Sequence, residues 1–275
     1  MILVRLPVKS LIRFQCVSKE WKNLFKTPSF IAEHLQHSTH QNPLLIFEDF
    51  DFYDRFRLRL LNREMRVRDV QTHPRINSRH SFVWAVNSCN GLICIVGLLH
   101  RTQSLSIFLW NPATRKLREV PAGDYDLWVI VSLYVGFGFS PTLNDYKIVK
   151  IRMNNLWVIN EVEVYSLNKR RWKEVELGSL DGVAVTSHGF TFNGAIFWIG
   201  SNLGGSILVS FDIATEVFTL IPMPPIRLWG TRTYSHKLTV YDNKLAMLFP
   251  EGDSVHLWVM EEEKYEWKKL SLIVY

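Results

Sequence analysis

The sequence predicts a mainly β protein with a short helical start, and three observations carry that prediction. From residue 82 onward, short apolar runs alternate with turns that recur at a period near fifty residues. Residues 10–25, in contrast, space their apolar side chains by three and four, as one face of a helix requires. The aromatic share is 13%, which suits strands.

The helical start comes first. Leu11, Phe14, Val17, Trp21 and Leu24 form the apolar stripe, and Arg13, Lys19, Glu20 and Lys22 lie mainly off it. Ile12, Cys16 and Phe25 widen the apolar surface, so more than one neighbour is expected. Thr27-Pro28 supplies a cap and a first-turn proline for a second helix through Phe30, Ile31 and Leu35. Helices of roughly 16 and 9 residues do not bury both faces alone; a third helix or a partner is required. His34, His37 and His40 sit three apart, but no carboxylate or thiol is spaced with them, so a solvated helix end is expected.

The body is built from a repeat. SCNGLICI, TLNDYKIV, TFNGAIFW and YDNKLAML each set an Asn between two apolar runs. These are Asn90, Asn144, Asn193 and Asn243, at intervals of 54, 49 and 50. Asn-Gly at 90–91 and 193–194 marks hairpins whose two turn residues need positive φ. A third strand follows each hairpin and ends in Trp110, Tyr165, Phe211 or Trp258. A polar turn and a fourth strand close each unit: KLREVP, RWKEVEL, VFTLIPMP and YEWKKL. YKIVKI reads as apolar on both faces, and Gly136-Phe137-Gly138 as a strand end before a proline turn. Four strands per unit of about fifty residues is the pattern of a β-propeller with kelch-like blades. A β-sandwich is the rival, but it carries no fifty-residue beat. Residues 44–70 read as two or three irregular strands of a further, partial blade. The expected organisation is therefore a helical segment at 1–40, a connector at 41–81 and the propeller-like body at 82–275, with four recognisable blades that do not necessarily close.

Charge and cysteines exclude several classes. Of the net charge of +6, residues 1–40 hold +4, so the body carries no basic stripe for nucleic acid. Three cysteines without a CxxC pair give neither a disulfide framework nor a zinc site. Cys89 and Cys94 read as small core residues. The longest apolar run, 127–139, is too short for a helix to span a bilayer. No nucleophile elbow, phosphate loop, zinc-binding helix or dinucleotide motif occurs, and His188, His236 and His256 are scattered. The reading is non-catalytic, without cofactor or metal, in the cytosol or nucleus.

RLPVKSLIRFQCVSKEWKNLFKTPSFIAEHL closely resembles the last two-thirds of a plant F-box, through LPVKSL, RFxCVSKxW and PSFIxxHL. The body resembles the F-box-associated domain through SCNGLICI, LWNPATRKLREVP, GFGFSPTLNDYKIVKI, VEVYSLNKRRWKEVE, LVSFDIATEVFTLIPMP and VHLWVMEEEKYEWKKL. The resemblance implies docking on a Skp-type adaptor, and through it on a cullin–RING ubiquitin ligase, by Leu6, Pro7, Leu11, Ile12, Phe14, Cys16, Val17 and Trp21. It also implies capture of a protein target by the body. Members of the family usually have more residues before and after, so an F-box shortened at its start is expected. The least repeat-like connections hold Trp128, Asn154, Asn155, Trp157, Asp181, Arg227, Trp229 and Arg232, the aromatic and Arg chemistry of protein recognition. The alternatives are an interaction module that no longer docks on the ligase and a propeller that binds a glycan or small molecule.

Overall fold

The structure is a computed structural model that describes residues 2–41, 45–50, 56–62, 64–71, 80–99, 105–121, 133–224, 236–251, 254–261 and 265–272. The chain forms two compact units, Met1–Asp126 and Leu127–Tyr275.

The first unit opens with a 3-10 turn, Leu3–Arg5, and three helices: α1 (Val8–Phe14), α2 (Lys19–Leu24) and α3 (Pro28–Gln41). The single helix expected across 10–25 is thus two. Ser18 breaks it: its backbone is extended, and its hydroxyl accepts from the Trp21 N–H at 3.1 Å, capping α2. Thr27 caps α3 through the Phe30 N–H at 3.3 Å, as its sequence foretold. α3 runs 14 residues, longer than expected.

Among the described residues, five antiparallel sheets follow. The first is β1 (Leu45–Phe50), β2 (Phe56–Leu61) and β3 (Val67–Gln71). The second is β4 (His80–Cys89), β5 (Leu92–Leu99), β6 (Leu105–Asn111) and β7 (Lys116–Val120). In the second unit, β8 (Leu133–Ser140), β9 (Asp145–Met153), β10 (Ile159–Ser166) and β11 (Arg171–Glu174) form one sheet. The next holds β12 (Ala184–Val185), β13 (Phe190–Phe192), β14 (Ala195–Asn202), β15 (Gly205–Asp212) and β16 (Val217–Pro222). The last is β17 (Lys237–Tyr241), β18 (Lys244–Glu251), β19 (Ser254–Glu261) and β20 (Glu266–Leu272). The expected mainly β fold of four-stranded repeats after a helical start is what the chain adopts.

Turn geometry explains the period. Asn90, Asn144, Asn193 and Asn243 all have positive φ, between 46° and 54°. Asparagine tolerates this region because its short side chain bonds locally. A second series marks the third-to-fourth strand turns. Arg115, Arg170, Glu216 and Tyr265 have φ of 52–60°, each four residues after the strand-end residues Asn111, Ser166, Asp212 and Glu261. Met65, with φ of 58°, stands four residues after Leu61, the end of β2. β1, β2 and β3 therefore occupy the second, third and fourth places of the repeat, and Leu58 of β2 packs with Ile93, Ile95, Phe108 and Trp110 of the following sheet.

The second unit's main core lies between sheets. Val149, Ile151, Val162 and Val164 meet Ile196, Trp198, Val209 and Phe211 of the next sheet. Leu208 and Ile221 then meet Leu245 and Met260 of the last sheet. Burying such side chains contributes about 1.5–3 kcal/mol each, which makes sheet-on-sheet stacking the main stabilising term.

Two sequence readings change. Gly136 and Gly138 are interior to β8, where a Cβ on Gly136 would stand 2.4 Å from Trp198 Cζ2. They are glycine because the neighbouring sheet leaves no room. YKIVKI is not apolar throughout either: Lys147 and Lys150 of β9 are both buried. Lys147 Nζ donates to the Ile213 carbonyl at 2.6 Å and to Glu216 at 2.8 Å, while Lys150 pairs with Glu163 at 2.7 Å.

Candidate functional site

The helical segment sorts its side chains into an interior and a surface. Val4, Leu11, Phe25 and Phe30 are buried, and Leu3, Leu6, Phe14, Trp21 and Leu24 pack around them. An aromatic ladder runs through this cluster, with ring centroids 5.6 Å apart for Phe14–Trp21, 6.2 Å for Trp21–Phe25 and 5.1 Å for Phe25–Phe30. Of the eight residues that the sequence offers for adaptor contact, Leu6, Leu11, Phe14 and Trp21 belong to this cluster. Pro7, Ile12, Cys16 and Val17 are exposed, Val17 to 65% and Ile12 to 38%. The exposed four lie at the entry to α1, within it and just beyond its end, where one short helix and its flanks display them together in sequence.

Charge frames this apolar surface. Arg5, Lys9, Arg13, Lys19, Lys22 and Lys26 are all exposed, against exposed Glu20 and Glu33. An apolar patch edged by lysine and arginine can bury against a surface of matching apolar residues ringed by carboxylates. His34 is not the solvated helix end expected of it. Its ring is buried, its Nε2 lies 2.9 Å from the Leu6 carbonyl oxygen, and it stacks at 6.1 Å and 22° on Phe30.

The expected target-binding loops divide. Asn154 shapes the β9–β10 turn: its side-chain oxygen accepts from the Leu156 and Val158 N–H groups at 2.9 and 3.3 Å. Trp157 is 56% exposed and holds φ of 61°. Its neighbour Leu156, 81% exposed, was missed in the sequence, because a lone leucine in a turn carries no pattern. Asp181 is exposed at the end of a 3-10 turn, Gly178–Leu180, but the rest of that connection is packed: Leu180, Val183 and Val185 are buried in the core. The Val183 carbonyl also accepts from the Ile159 N–H at 2.7 Å. Trp128, Arg227, Trp229 and Arg232 lie outside the described residues.

Ionisable groups in the second unit lock the fold. His188 Nδ1 accepts from the Val135 N–H at 3.1 Å, and burial lowers the imidazole to about 4. Burial also lowers Lys150, although Glu163 partly restores it, and the ammonium lies 3.8 Å from the Trp172 ring centre. Burial pushes the Cys94 thiol well up, so it is an inert core residue. Among the described residues no group of His, Cys, Asp or Glu is arranged to hold a metal ion. No helix of the described residues is long and apolar enough to cross a membrane.

Comparison with known proteins places the chain. Residues 45–275 match the F-box associated beta propeller domain, and residues 1–32 match the F-box domain. A putative F-box/kelch-repeat protein of Arabidopsis thaliana is 24% identical over 302 residues, covering 99% of this chain and 69% of that protein. Another F-box/kelch-repeat protein of that plant is 27% identical over 287 residues, covering 98% and 76%. Among solved structures, TolB from Acinetobacter baumannii superposes with a TM-score of 0.53 at 12% identity, over 89% of this chain and 59% of that one. That similarity bears on the fold alone, and the chain spans little more than half of TolB. The interior of the helical segment, the four-stranded repeats and the two matches agree that this chain belongs to the family of F-box proteins with an F-box associated beta propeller domain.

Proposed function

We propose that the chain is the target-recognition subunit of an SCF-type ubiquitin ligase. Residues 1–40 would dock on a Skp-type adaptor, and through it on a cullin–RING scaffold, while the propeller-like body captures a protein target. The chain itself would catalyse nothing and need no cofactor. It would raise the target's effective concentration beside the ubiquitin-charged enzyme. Such work belongs in the cytosol or nucleus, where the ligase operates.

The observation that carries this reading is the exposure of Pro7, Ile12, Cys16 and Val17 beside a cluster in which Val4, Leu11, Phe25 and Phe30 are already buried. Large apolar side chains left in water beside a packed interior mark a surface that a partner covers. Captured targets would meet the turns of the body, where Leu156 and Trp157 are exposed in the turn that Asn154 shapes and Asp181 is exposed in another connection.

Co-purification of the chain with a Skp-type adaptor tests the docking, beside the double variant Ile12→Asp/Val17→Asp. Placing carboxylates on exposed positions leaves the interior intact, as circular dichroism should show, and removes binding. Changing Leu11, Phe14 and Trp21 is the poorer experiment, because these side chains fill the helical interior. A wild-type chain that never binds the adaptor overturns the reading in favour of a module that captures a target without marking it.

A further inference from the structure

The entry to α1 is held from a distance. Leu6 closes the 3-10 turn in an extended conformation, and Pro7 begins α1 with φ of −58° and ψ of 145°. The Pro7 carbonyl accepts from the Ser10 and Leu11 N–H groups at 2.9 and 3.1 Å. The Leu6 carbonyl is instead met by His34 Nε2, 28 residues further on, at 2.9 Å. A carbonyl only accepts, so Nε2 carries the proton in this contact. Packing on Phe30 fixes the ring plane, and burial keeps water from competing for the bond. α3 thereby grips the one peptide that sets where the exposed Pro7 ring stands relative to Ile12 and Val17.

We infer that His34 is a positioning residue for adaptor docking: through the Leu6 carbonyl it fixes the Leu6–Pro7 entry and so aligns Pro7 with the exposed surface of α1. This rests on the docking proposed above. His34 touches no partner itself. Its effect comes from a hydrogen bond that selects one orientation of a peptide, and loss of such a bond leaves the acceptor buried without a donor.

The test uses the full chain and a Skp-type adaptor, with affinity measured by calorimetry. His34→Leu removes the donor and is expected to weaken binding about tenfold, with helix content unchanged. His34→Gln, which restores an N–H donor, should recover most of the affinity. Phe25→Leu serves as the control for a merely structural role: it lowers the unfolding midpoint of the same cluster without removing the donor or the ring it stacks on, so affinity per folded molecule should hold. Wild-type affinity in His34→Leu overturns the inference, as does equal weakening in all three variants. If the wild-type chain fails to bind, the docking proposal is the one that falls. The positioning claim is then decided by amide exchange: His34→Leu should speed exchange at Ser10 and Leu11 severalfold, and unchanged exchange there refutes it.

Discussion

Lys147 and Glu216 join neighbouring sheets of the second unit across 2.8 Å, from near the start of β9 to the turn between β15 and β16. The lysine side chain is 4% exposed and also donates to the Ile213 carbonyl. Glu216 takes a second lysine, Lys173, at 2.9 Å from the solvent side. Burial alone would raise the Glu216 carboxyl, but the bonds from Lys147 and Lys173 hold it below its usual value. The pair thus fixes the angle between two sheets at a residue whose own φ of 60° already costs strain.

Lys147→Met is therefore expected to destabilise the chain by about 2 kcal/mol, because a half-buried carboxylate loses its inner partner. Urea unfolding of both proteins at neutral pH measures the difference. A carboxyl lowered in the folded state stabilises above its unfolded value and loses that contribution as pH falls through the folded one. The deficit of Lys147→Met should accordingly shrink in acid, below the ordinary carboxylate range.

Gly136 and Gly189 meet back to back, and their replacement should be costly. A Cβ on Gly189 would lie 2.7 Å from the Gly136 Cα, and one on Gly136 would strike Trp198 and Ile196 at 2.4 and 2.7 Å. Gly136→Ala forces two sheets apart and is expected to cost about 2–3 kcal/mol. Gly194→Ala meets no atom within 4 Å but holds φ of 76°, so only the backbone penalty of about 1 kcal/mol applies. Thermal unfolding of the two variants separates crowding from strain. Equal shifts would show that β8 can move away.

These contrasts also show what the sequence could and could not reveal. Asn-Gly announces a left-handed turn in its own chemistry, so the first-to-second strand hairpins were legible. Arg115, Arg170, Glu216 and Tyr265 adopt the same region without a glycine or asparagine to mark it, and that second series emerges only in three dimensions. The two glycines of β8 read as a strand end because their reason lies far ahead in the sequence, in Trp198 and Ile196 against Gly136 and in Ile213 and Thr191 against Gly138. In the helical start, periodicity identified the apolar residues but not which of them face inward. Ser18 breaks the helix there, so a single stripe cannot represent the two axes of α1 and α2.

His188 should make the chain acid-sensitive above the range where carboxylates titrate. Burial lowers its folded value to about 4 from 6.5, while the unfolded imidazole protonates normally. The folded state then binds fewer protons, so stability is full above about 6.5 and declines as pH falls towards 4. The shift sets an upper bound of about 3 kcal/mol on that loss. His188→Gln supplies an acceptor for the Val135 N–H without titrating, and its stability should be flat over the same interval. Urea midpoints measured at half-unit steps from pH 7.5 to 4.5 make the comparison, and parallel curves would remove His188 from the account.

Trp157 sets stability against exposure within a single turn. The residue holds φ of 61°, a region that costs a side chain with a Cβ about 1 kcal/mol and costs glycine nothing. More than half of the indole faces water, so little burial offsets the strain. Trp157→Gly should therefore leave the chain as stable as wild type or more stable by up to about 1 kcal/mol, whereas Trp157→Val, β-branched at positive φ, should cost about 1–2 kcal/mol. Gly also gives back some of that gain through backbone entropy in the unfolded chain, which is why the expected benefit is small. Urea unfolding of the pair decides the matter: a clear loss in Trp157→Gly would mean that the indole contributes packing in solution beyond its exposed position here. A neutral or stabilising glycine would leave the tryptophan without a folding role, which favours its use as a contact for a captured protein.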